Sequence, residues 1–545
     1  MNLMLKGFLS IMLLASGGFS WTARAGNCNT NNCNTDNDDC NTSFNCPKSV
    51  GNVCGTHIHF SARPQDSNVA RRMVAVEDKI HRYGAEEFNG VVSVGLQYQQ
   101  TFKPGKLARY LFGKESLTFG PSCDGTYDIY GTNIGTTASG RISFAPRIRN
   151  FIADIDFWLG LDEFICGSWF RVTAPVNWTQ WDLRPCQSLD NPTATPVPFA
   201  PGTVAFADAG TQTSFGGALA GLTGAPFGIA PRADCGVLCC NGKTHDTAVA
   251  GLHFDLGYDF IRRECSHVGA SLHVVAPTGT RQRDGLNDHC LFRAVSGAQH
   301  SWQIGATVNA AYLAWENCDG DQRLGIYFDS TITHLFKAKQ RRLFNLKNRD
   351  GSTNPLSYLL LLKKFNASTG AVEGLQRAAN ALCCDIRVGA RVMADLALMV
   401  QYDCGCFSAA VGYNFWGRSR EQGSFRKRKN NDCATSCGDR CTITANTLGI
   451  KGNTSVDDAT TQSTSTVGTC GPVDDAPVFL TTADIDFCSA LHPRAWSNKV
   501  FGWVGWNWRD CEWQPFVALE GGAEFGHNNT AVDQWEVMLK GGVAF

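Results

Sequence analysis

The sequence predicts an all-β fold, a transmembrane antiparallel β-barrel of about 16 strands, and three observations support it. Many segments of roughly ten residues alternate between apolar and polar side chains, which is the period of a β-strand. The chain closes on such a segment, 535–545, with an aromatic residue at its end. Beyond residue 25 no apolar run reaches the length of a membrane-spanning helix, since the block 358–362 stops at Lys363.

The closing segment WEVMLKGGVAF predicts one lipid-facing and one water-facing strand surface. Glu536 and Lys540 fall on the second surface, whereas the first is almost wholly apolar. An edge strand of a soluble sheet has the same alternation and remains the alternative. The terminal aromatic residue is similar to the signal that the outer-membrane insertion machinery recognises. The predicted barrel-assembly signal comprises Val537, Leu539, Gly541, Val543 and Phe545.

The first 25 residues predict a secretory signal peptide. Lys6 precedes an apolar core over 8–19, and Ala23-Arg24-Ala25 provides a small-x-small cleavage pattern. The apolar core is short for a membrane anchor and contains Gly17-Gly18. We therefore expect export from the cytoplasm and integral insertion into a bacterial outer membrane.

Alternating segments also predict which residues face the interior of the barrel. In 251–260 the even positions are apolar and the odd positions are polar, and 324–336 and 391–402 show the same separation. A soluble β-sandwich has this alternation too. Aromatic residues near strand ends favour a membrane barrel, and the clearest are Trp503, Trp506, Trp508 and Trp513. The predicted pore-lining residues are His253, Asp255, Asp259, Asp329, Arg391 and Asp395.

The remaining segments interrupt the strand pattern. Residues 26–60 form an Asn- and Cys-rich arm, and the barrel is expected over 61–545. Within it, 186–234 is rich in Pro, Gly and Ala and is either a constriction loop or a surface loop. Residues 354–382 predict a short lumenal or capping helix, with Asn354 as N-cap. Residues 419–481 are polar and predict a Cys-bearing external loop.

The chain has 24 cysteines, a number that predicts extensive disulfide formation after export. Their connectivity is left open by the sequence. Zinc is the alternative for 433–441, but the three-residue spacing there differs from the usual knuckle spacing. The candidate disulfide cysteines are Cys28, Cys33, Cys40, Cys46, Cys54, Cys433, Cys437, Cys441 and Cys470.

Motifs of catalysis and cofactor binding do not occur in the sequence, which has no HExxH, GxSxG or P-loop pattern. His253 and His273 lie on polar strand faces, where lumen-facing side chains explain them better than an active site does. We therefore expect no enzymatic activity, no cofactor and no metal. The net charge of −1 gives no reason to expect a nucleic-acid partner.

A Cys-rich barrel with an exported N-terminus, a Cys-bearing loop and a terminal Phe resembles the chlamydial-type major outer membrane proteins of intracellular and amoeba-associated bacteria. VGYNFWGRSRE (411–421) and the closing Val543-Ala544-Phe545 carry the resemblance. The five-Cys arm over 28–54 departs from that family. The resemblance implies a porin, monomeric or trimeric, that is disulfide-linked to envelope neighbours.

The expected function is therefore passive diffusion of small hydrophilic solutes through a water-filled outer-membrane barrel. Disulfide cross-linking would add rigidity to the envelope, and outer-membrane lipid and the barrel-assembly machinery are the expected partners. The alternative is a structural or adhesive envelope barrel with a plugged lumen, which the predicted helix at 354–382 favours.

Overall fold

The computed structural model describes the parts of the chain that form the barrel and most of its connections. These are residues 46, 52–81, 89–119, 127–128, 139–190, 243–281, 291–348, 351–359, 361–366, 368, 372–424, 447–450, 478–509 and 513–545. The predicted signal peptide, most of the arm and nearly all of 186–234 lie outside them, as do 425–446 and 451–477 of the predicted external loop.

Twelve antiparallel strands close into a barrel. Each pairs with its neighbours in chain order, and the ring closes between the first and the twelfth. In chain order they are β1 Gly90–Thr101, β2 Arg147–Gly160, β3 Ser168–Asp182, β4 Leu252–Arg263, β5 Ser266–Ala276, β6 Gln303–Glu316, β7 Gln322–Leu343, β8 Cys383–Cys404, β9 Phe407–Arg418, β10 Ala495–Asn507, β11 Gln514–Gly526 and β12 Gln534–Ala544.

The fold class is confirmed as an all-β closed barrel, and the expected count of 16 strands is not. Several of the alternating segments extend barrel strands or form small sheets beside the barrel, and they do not add further strands to the ring. Lys243–Val249 continues the line of β4 by pairing with β3, and Glu421–Ser424 pairs with β8. Three small sheets contain the remaining strands: Ser116–Phe119, Gly140–Phe144 and Pro185–Leu189; Asn345–Lys347, Thr353–Asn354 and Ile485–Asp486; and Leu361–Phe365, Val372–Arg377, Leu448–Ile450 and Val478–Phe479.

The two ends of the barrel differ in the length of their connections. At one end five turns of two to seven residues join β2 to β3, β4 to β5, β6 to β7, β8 to β9 and β10 to β11. At the other end five of the six connections span 26 to 76 residues. Gly90 N donates to Phe545 O over 2.8 Å at the short-turn end. Outer-membrane barrels place short turns in the periplasm and long loops outside the cell. We call the two ends the short-turn end and the loop end.

The outer surface of the barrel is apolar, as lipid requires. On β12 the side chains of Trp535, Val537 and Leu539 are exposed while Glu536 and Lys540 are buried, which agrees with the predicted strand faces. The same alternation runs around the ring and leaves exposed Val94, Leu96, Phe151, Ile155, Phe254, Leu256, Leu272, Ile304, Val308, Ile332, Val411, Val500, Val504 and Leu519.

Aromatic side chains sit where β10 and β11 meet the short-turn end. Trp506, Trp508 and Trp513 are exposed there, in the position of an interfacial aromatic belt. Trp503 is the exception to the sequence prediction. It is buried and faces the lumen, where its Nε1 lies 3.3 Å from Met399 Sδ. The two-residue period of β10 places Trp503 on the same inner face as Phe501.

Helices are few and short among the described residues. They are α1 Val69–Met73, α2 Pro104–Phe112, α3 Ala378–Ala381 and the 3₁₀ turns Ser357–Leu359 and Thr482–Asp484. No described helix is both long and apolar enough to cross a membrane. The predicted helix over 354–382 is wrong, because 361–365 pairs with 372–377 as strands and only the 3₁₀ turn Ser357–Leu359 and the four-residue α3 are helical. Tertiary pairing here overrides the local helical signal of Asn354 and Pro355.

Candidate functional site in the barrel lumen

A segment that precedes the first strand fills the interior of the barrel. We call residues 52–81 the inner segment. Its side chains contact strands on opposite sides of the closed ring: Arg71 pairs with Asp154 on β2, and Arg63 pairs with Asp395 on β8. A chain segment that touches both sides of a closed barrel lies inside it. The fold therefore encloses a plug built from the chain's own N-terminal region.

The inner segment begins at the loop end, where backbone contacts fix residues 53–59. Val53 N donates to Asn529 Oδ1 over 2.7 Å, and Ile58 N donates to Ser489 O over 2.9 Å. The hydroxyl of Tyr110 donates to His59 O over 2.8 Å. Burial, with the nearby Arg342 guanidinium, holds the pKa of His59 well below its usual value. His59 is therefore neutral in the packed segment.

Arg63 is the first of three arginines that anchor the segment to the wall. Its guanidinium donates to Asp395 Oδ2 over 2.8 Å, to Asn414 Oδ1 over 3.0 Å and to Glu524 Oε1 over 3.2 Å. The three acceptors lie on β8, β9 and β11. All of these side chains are almost completely buried. The single guanidinium of Arg63 therefore anchors the inner segment to three barrel strands.

The helix α1 carries the next two arginines. The Asn68 side chain caps α1 by accepting from Arg71 N over 3.2 Å, which directs the side chains of Arg71 and Arg72 to the wall. Arg71 Nε donates to Asp154 Oδ2 over 2.7 Å, and Arg72 Nη2 donates to Asp329 Oδ2 over 3.2 Å. Buried charges are tolerated only when they are paired and hydrogen-bonded, and these are.

Residues 73–81 of the inner segment, toward the short-turn end, pack among apolar and aromatic side chains. Met73, Val74 and Val76 join one buried cluster that includes Phe501 and Phe516 on the inner barrel wall. At the short-turn end His81 Nδ1 lies 2.7 Å from Asp259 Oδ2. Its ring stacks on His267 with centroids 4.5 Å apart and meets Trp158 and Trp169 edge-on. Along the stretch from Met73 to His81, the lumen is therefore filled by packed side chains.

Further ion pairs on the wall itself surround the plug. Arg171 on β3 forms a bidentate ion pair with Asp156 on β2. Its Nε donates to Asp156 Oδ1 over 2.8 Å, and its Nη2 donates to Asp156 Oδ2 over 2.7 Å. Lys499 on β10 pairs with Glu536 on β12. Lys540 Nζ donates to the backbone oxygens of Arg71 and Arg72 over 3.1 and 3.0 Å. The wall therefore presents cations and carboxylates in close alternation.

Five of the six predicted pore-lining residues are buried inside the barrel. His253, Asp255 and Asp259 lie on β4, Asp329 on β7 and Asp395 on β8, and each of them contacts the inner segment or lies within 4 Å of it. The structure therefore brings them together around the plug and not around an open water column.

The prediction that Arg391 faces the lumen is wrong, because its side chain is exposed. The pairing of β7 with β8 shifts register between Thr333 and Leu335, where β8 carries an extra residue. Such a bulge reverses the faces of the strand beyond it. Arg391 lies in this bulge, whereas Met393 and Asp395 keep the predicted inward direction.

A cavity lies between the wall and the inner segment, and most of the residues that line it are polar or charged. Its lining includes Asp66, His253 and His273. His273 Nδ1 is 2.7 Å from Asp255 Oδ1, and His253 Nδ1 is 3.3 Å from His273 Nε2. His253 Nε2 is 3.9 Å from Asp66 Oδ2, beyond hydrogen-bond distance. Among the described residues no group of three or more His, Cys, Asp or Glu side chains is arranged to hold a metal ion.

The three arginines were missed by the sequence reasoning, which placed residues 61–81 within the barrel wall. The sequence does contain a charge pattern that could have pointed to these arginines. Arg63, Arg71 and Arg72 cluster before the first strand, and the predicted inward strand faces carry several aspartates, among them Asp255, Asp329 and Asp395. Opposite charges on a pre-strand segment and on the inward strand faces favour contact between them, but they do not specify which residues pair. Chemically, the site fills the barrel with a segment whose contacts to the wall include buried ion pairs.

Comparison with known proteins gives no family assignment. No family model matches the chain, and no curated protein matches it. Among solved structures, the COG4313 outer membrane channel from Pseudomonas putida F1 aligns over 84% of this chain and 96% of that chain, at 10% identity and a TM-score of 0.33. The translocator domain of the autotransporter NalP from Neisseria meningitidis aligns over 87% and 93%, at 8% identity and a TM-score of 0.25.

A Pseudomonas aeruginosa FadL homologue aligns over 84% of this chain and 90% of that chain, at 8% identity and a TM-score of 0.25. Overlap at this level supports no argument about activity or substrate. The functional reasoning below therefore rests on the barrel and its lumen.

Proposed function

We propose that this protein is an outer-membrane channel for small hydrophilic solutes, and that the inner segment is its gate. The observation that carries the proposal is the arginine-anchored plug inside a barrel with an apolar outer surface. A ring of about eight strands is filled by its own side chains, and larger rings enclose space for a ligand or a channel. The 12-strand ring here encloses a chain segment in that space.

The chemistry of the contact supports a gate. Replacing buried ion pairs by well-packed apolar residues is often neutral or stabilising, so charged pairs are not needed merely to fill a barrel. Charged side chains on both surfaces regain hydration when the surfaces separate. A plug fastened by Arg63, Arg71 and Arg72 is therefore suited to leave a wall that then becomes a polar pore. Solutes passing that wall are polar, and the pathway is passive and not enzymatic.

Planar-bilayer recording of two deletions tests the proposal. A variant lacking residues 29–81 removes the inner segment, whereas a variant lacking 29–51 removes only the arm that precedes it. We expect stepwise conductance to rise strongly in the first variant and to remain near that of the full protein in the second. Heat-modifiable migration on gels checks that both barrels are folded.

Silence of both deletion variants would contradict a channel. It would support the second candidate, a structural envelope barrel, which the dense packing around His81 and Phe501 favours. Large conductance of the full protein without any deletion would contradict the gate and would leave an open porin, as expected from the sequence alone.

Disulfides form a second part of the proposal. Cys46, Cys384 and Cys488 are disulfide-bonded, and Cys384 and Cys488 belong to the loop end. We propose that these bonds stiffen the loop end and contribute to envelope rigidity. Association into trimers, insertion by the barrel-assembly machinery and the kinship with chlamydial-type porins belong to the same proposal.

A further inference from the structure

A cluster of cations lies on the outer surface of the barrel, where β7 and β8 approach the loop end. Lys337, Arg387 and Arg391 are exposed there, and within the described part of the chain none of them forms an ion pair. The nearest outward carboxylate of β8, Asp385, pairs instead with Lys339 at 3.1 Å. We call Lys337, Arg387 and Arg391 the outer cation patch.

Two bulges turn the patch outward. The pairing of β7 with β8 shifts register twice, where β8 carries one extra residue after Ala390 and where β7 carries one extra residue after Leu335. A regular strand turns every second side chain inward. In each bulge two successive side chains are exposed instead: Phe336 and Lys337 on β7, and Arg391 and Val392 on β8. Each bulge therefore places a cation beside an apolar side chain on the outer surface, and bulges often re-aim side chains in this way at functional sites.

Gly389 brings the three cations close together. It lies between Arg387 and Arg391 on the outer face of β8, and a Cβ atom at this position would lie only 2.9 Å from Lys337 N and 3.0 Å from Lys337 Cα. Lys337 therefore occupies the space between the two arginines, whose Cα atoms are about 13 Å apart at a rise of about 3.3 Å per residue. The three long side chains can reach a common anionic group.

Neutral side chains hold two of the three cations in place. The side-chain amide of Gln422 lies 2.9 Å from Arg391 Nε and 3.2 Å from Arg391 Nη2, and its oxygen accepts from both. Lys337 Nζ donates to Ser424 Oγ over 3.2 Å. These contacts orient the cations without neutralising them, so the patch keeps its positive charge.

The patch borders the lipid-facing surface on the side of the loop end. Trp302, Phe336 and Val392 are exposed beside it, and Phe336 N donates to Trp302 O over 2.9 Å. Tyr402 is exposed at the opposite end of β8, near the short turn to β9. From Tyr402 to Val392 the strand runs about 33 Å, which a tilt of about 40° reduces to about 25 Å, the height of an apolar band. The patch therefore lies at the level of the outer-leaflet headgroups.

We propose that the outer cation patch binds the phosphate groups of a phosphorylated outer-leaflet lipid, whose acyl chains lie along Trp302, Phe336 and Val392. Arginine binds phosphate through paired N–H groups, and lysine binds it as a point charge. Like charges held side by side are unfavourable, and a bound phosphate removes that cost. The apolar surface continues directly from the patch, so a lipid fills both whereas a free anion fills only one. This inference goes beyond the proposed function and rests on its membrane barrel and orientation, not on conduction.

Lipid binding to the purified full-length protein in a neutral detergent tests the proposal. Native mass spectrometry measures binding of diphosphoryl lipid A and of its dephosphorylated form, and a third arm adds inorganic phosphate as competitor. The patch variant combines Lys337→Gln, Arg387→Gln and Arg391→Gln. The matched control removes three exposed cations at the same end but away from β7 and β8, through Arg109→Gln, Lys243→Gln and Arg281→Gln.

We expect the patch variant to bind diphosphoryl lipid A at least about tenfold more weakly than the wild type, because cations at a membrane surface each add to the attraction of anionic lipid. The control should bind like the wild type, and dephosphorylation of the lipid should weaken binding to the wild type. Equal binding by the two variants, or undiminished binding of the dephosphorylated lipid, would overturn the proposal. Displacement of the lipid by an equal concentration of inorganic phosphate would show a free-anion site and would overturn the lipid as ligand.

Heat-modifiable migration checks that both variants are folded. If the patch variant is not, Arg391→Gln and Arg391→Lys replace it, and the lysine variant should retain more lipid binding than the glutamine variant. Wild-type binding by Arg391→Gln would then overturn the proposal. Bilayer conductance is measured separately. A silent barrel with patch-dependent lipid binding contradicts the channel and supports this site, and a conducting barrel without such binding does the reverse.

Discussion

Arg71 Nε donates a hydrogen bond to Asp154 Oδ2 over 2.7 Å, and the two side chains are only 2% and 5% exposed. Arg71 belongs to α1 of the inner segment, and Asp154 belongs to the barrel strand β2. This buried ion pair therefore connects the plug to the barrel wall. Removing one partner of such a pair leaves an uncompensated buried charge, which costs about 3–5 kcal/mol. The pair is therefore the most direct point at which to loosen the proposed gate.

The substitution Arg71→Gln is expected to favour the open channel. It leaves Asp154 buried without its cation, so the opening equilibrium should shift by at least about tenfold, the equivalent of about 1.4 kcal/mol. Single-channel recording measures the open fraction. The control is Arg109→Gln, because Arg109 on α2 forms an exposed pair with Glu115 and exposed pairs contribute little. Equal open fractions in both variants would contradict the gate.

The docking of the inner segment at the loop end is expected to weaken in acid. The pKa of His59 lies well below 6.5 in the packed segment because of burial, whereas a released His59 regains its ordinary pKa. The released state therefore binds more protons, and the contribution of His59 to docking is fully present above about pH 6.5 and is lost progressively as the pH falls below that value.

Channel opening measured from pH 7.5 down to 5 checks this sign. The open fraction should rise with acid by at most about tenfold per pH unit for one proton. His59→Gln should flatten the profile. His245→Gln, at an exposed position, serves as the control and should follow the wild type. A wild-type profile that His59→Gln leaves unchanged would assign the pH response to other groups.

The lipid-facing surface of β12 should reject charge. Leu539 is 51% exposed on this strand, next to the inward-facing Lys540. Leu539→Arg is expected to destabilise the folded barrel by about 2–4 kcal/mol, the cost of a cation near the bilayer midplane. Leu539→Met keeps the surface apolar and should cost little. Folding titrations in lipid vesicles, read by heat-modifiable migration, measure the difference. Equal stability of the two variants would contradict a lipid-facing Leu539.

Close packing inside the barrel makes Gly257 sensitive to size. A Cβ atom at this position would lie 2.1 Å from the Trp169 ring, whose Nε1 donates to Asp259 Oδ1 over 3.1 Å. Gly257→Ala should therefore cost about 1–3 kcal/mol through displacement of that ring. Gly521→Ala is the matched control, because its Cβ would meet no atom closer than 4.0 Å. Denaturant titration compares the two, and a fully stable Gly257→Ala variant would show that the lumen is loosely packed.

Much of the barrel was predictable because the alternation of side chains along a strand is local. Residues 251–260 separate into Phe254 and Leu256 outside and His253 and Asp255 inside, as predicted. The failure at Arg391 has an equally specific cause. A bulge depends on how β7 and β8 align, and the sequence of β8 alone carries no sign of that alignment.

The sequence by itself determined the fold class, the membrane-facing surfaces and the inward direction of five predicted lumenal residues. A two-residue period and the demand of lipid for an apolar surface suffice for all three. Only the tertiary structure decided that the ring closes at 12 strands and that residues 52–81 fill it. Closure depends on which strands pair around the whole ring. The plug depends on contacts such as that of Arg63 with Asp395, 332 residues away, which no local pattern specifies.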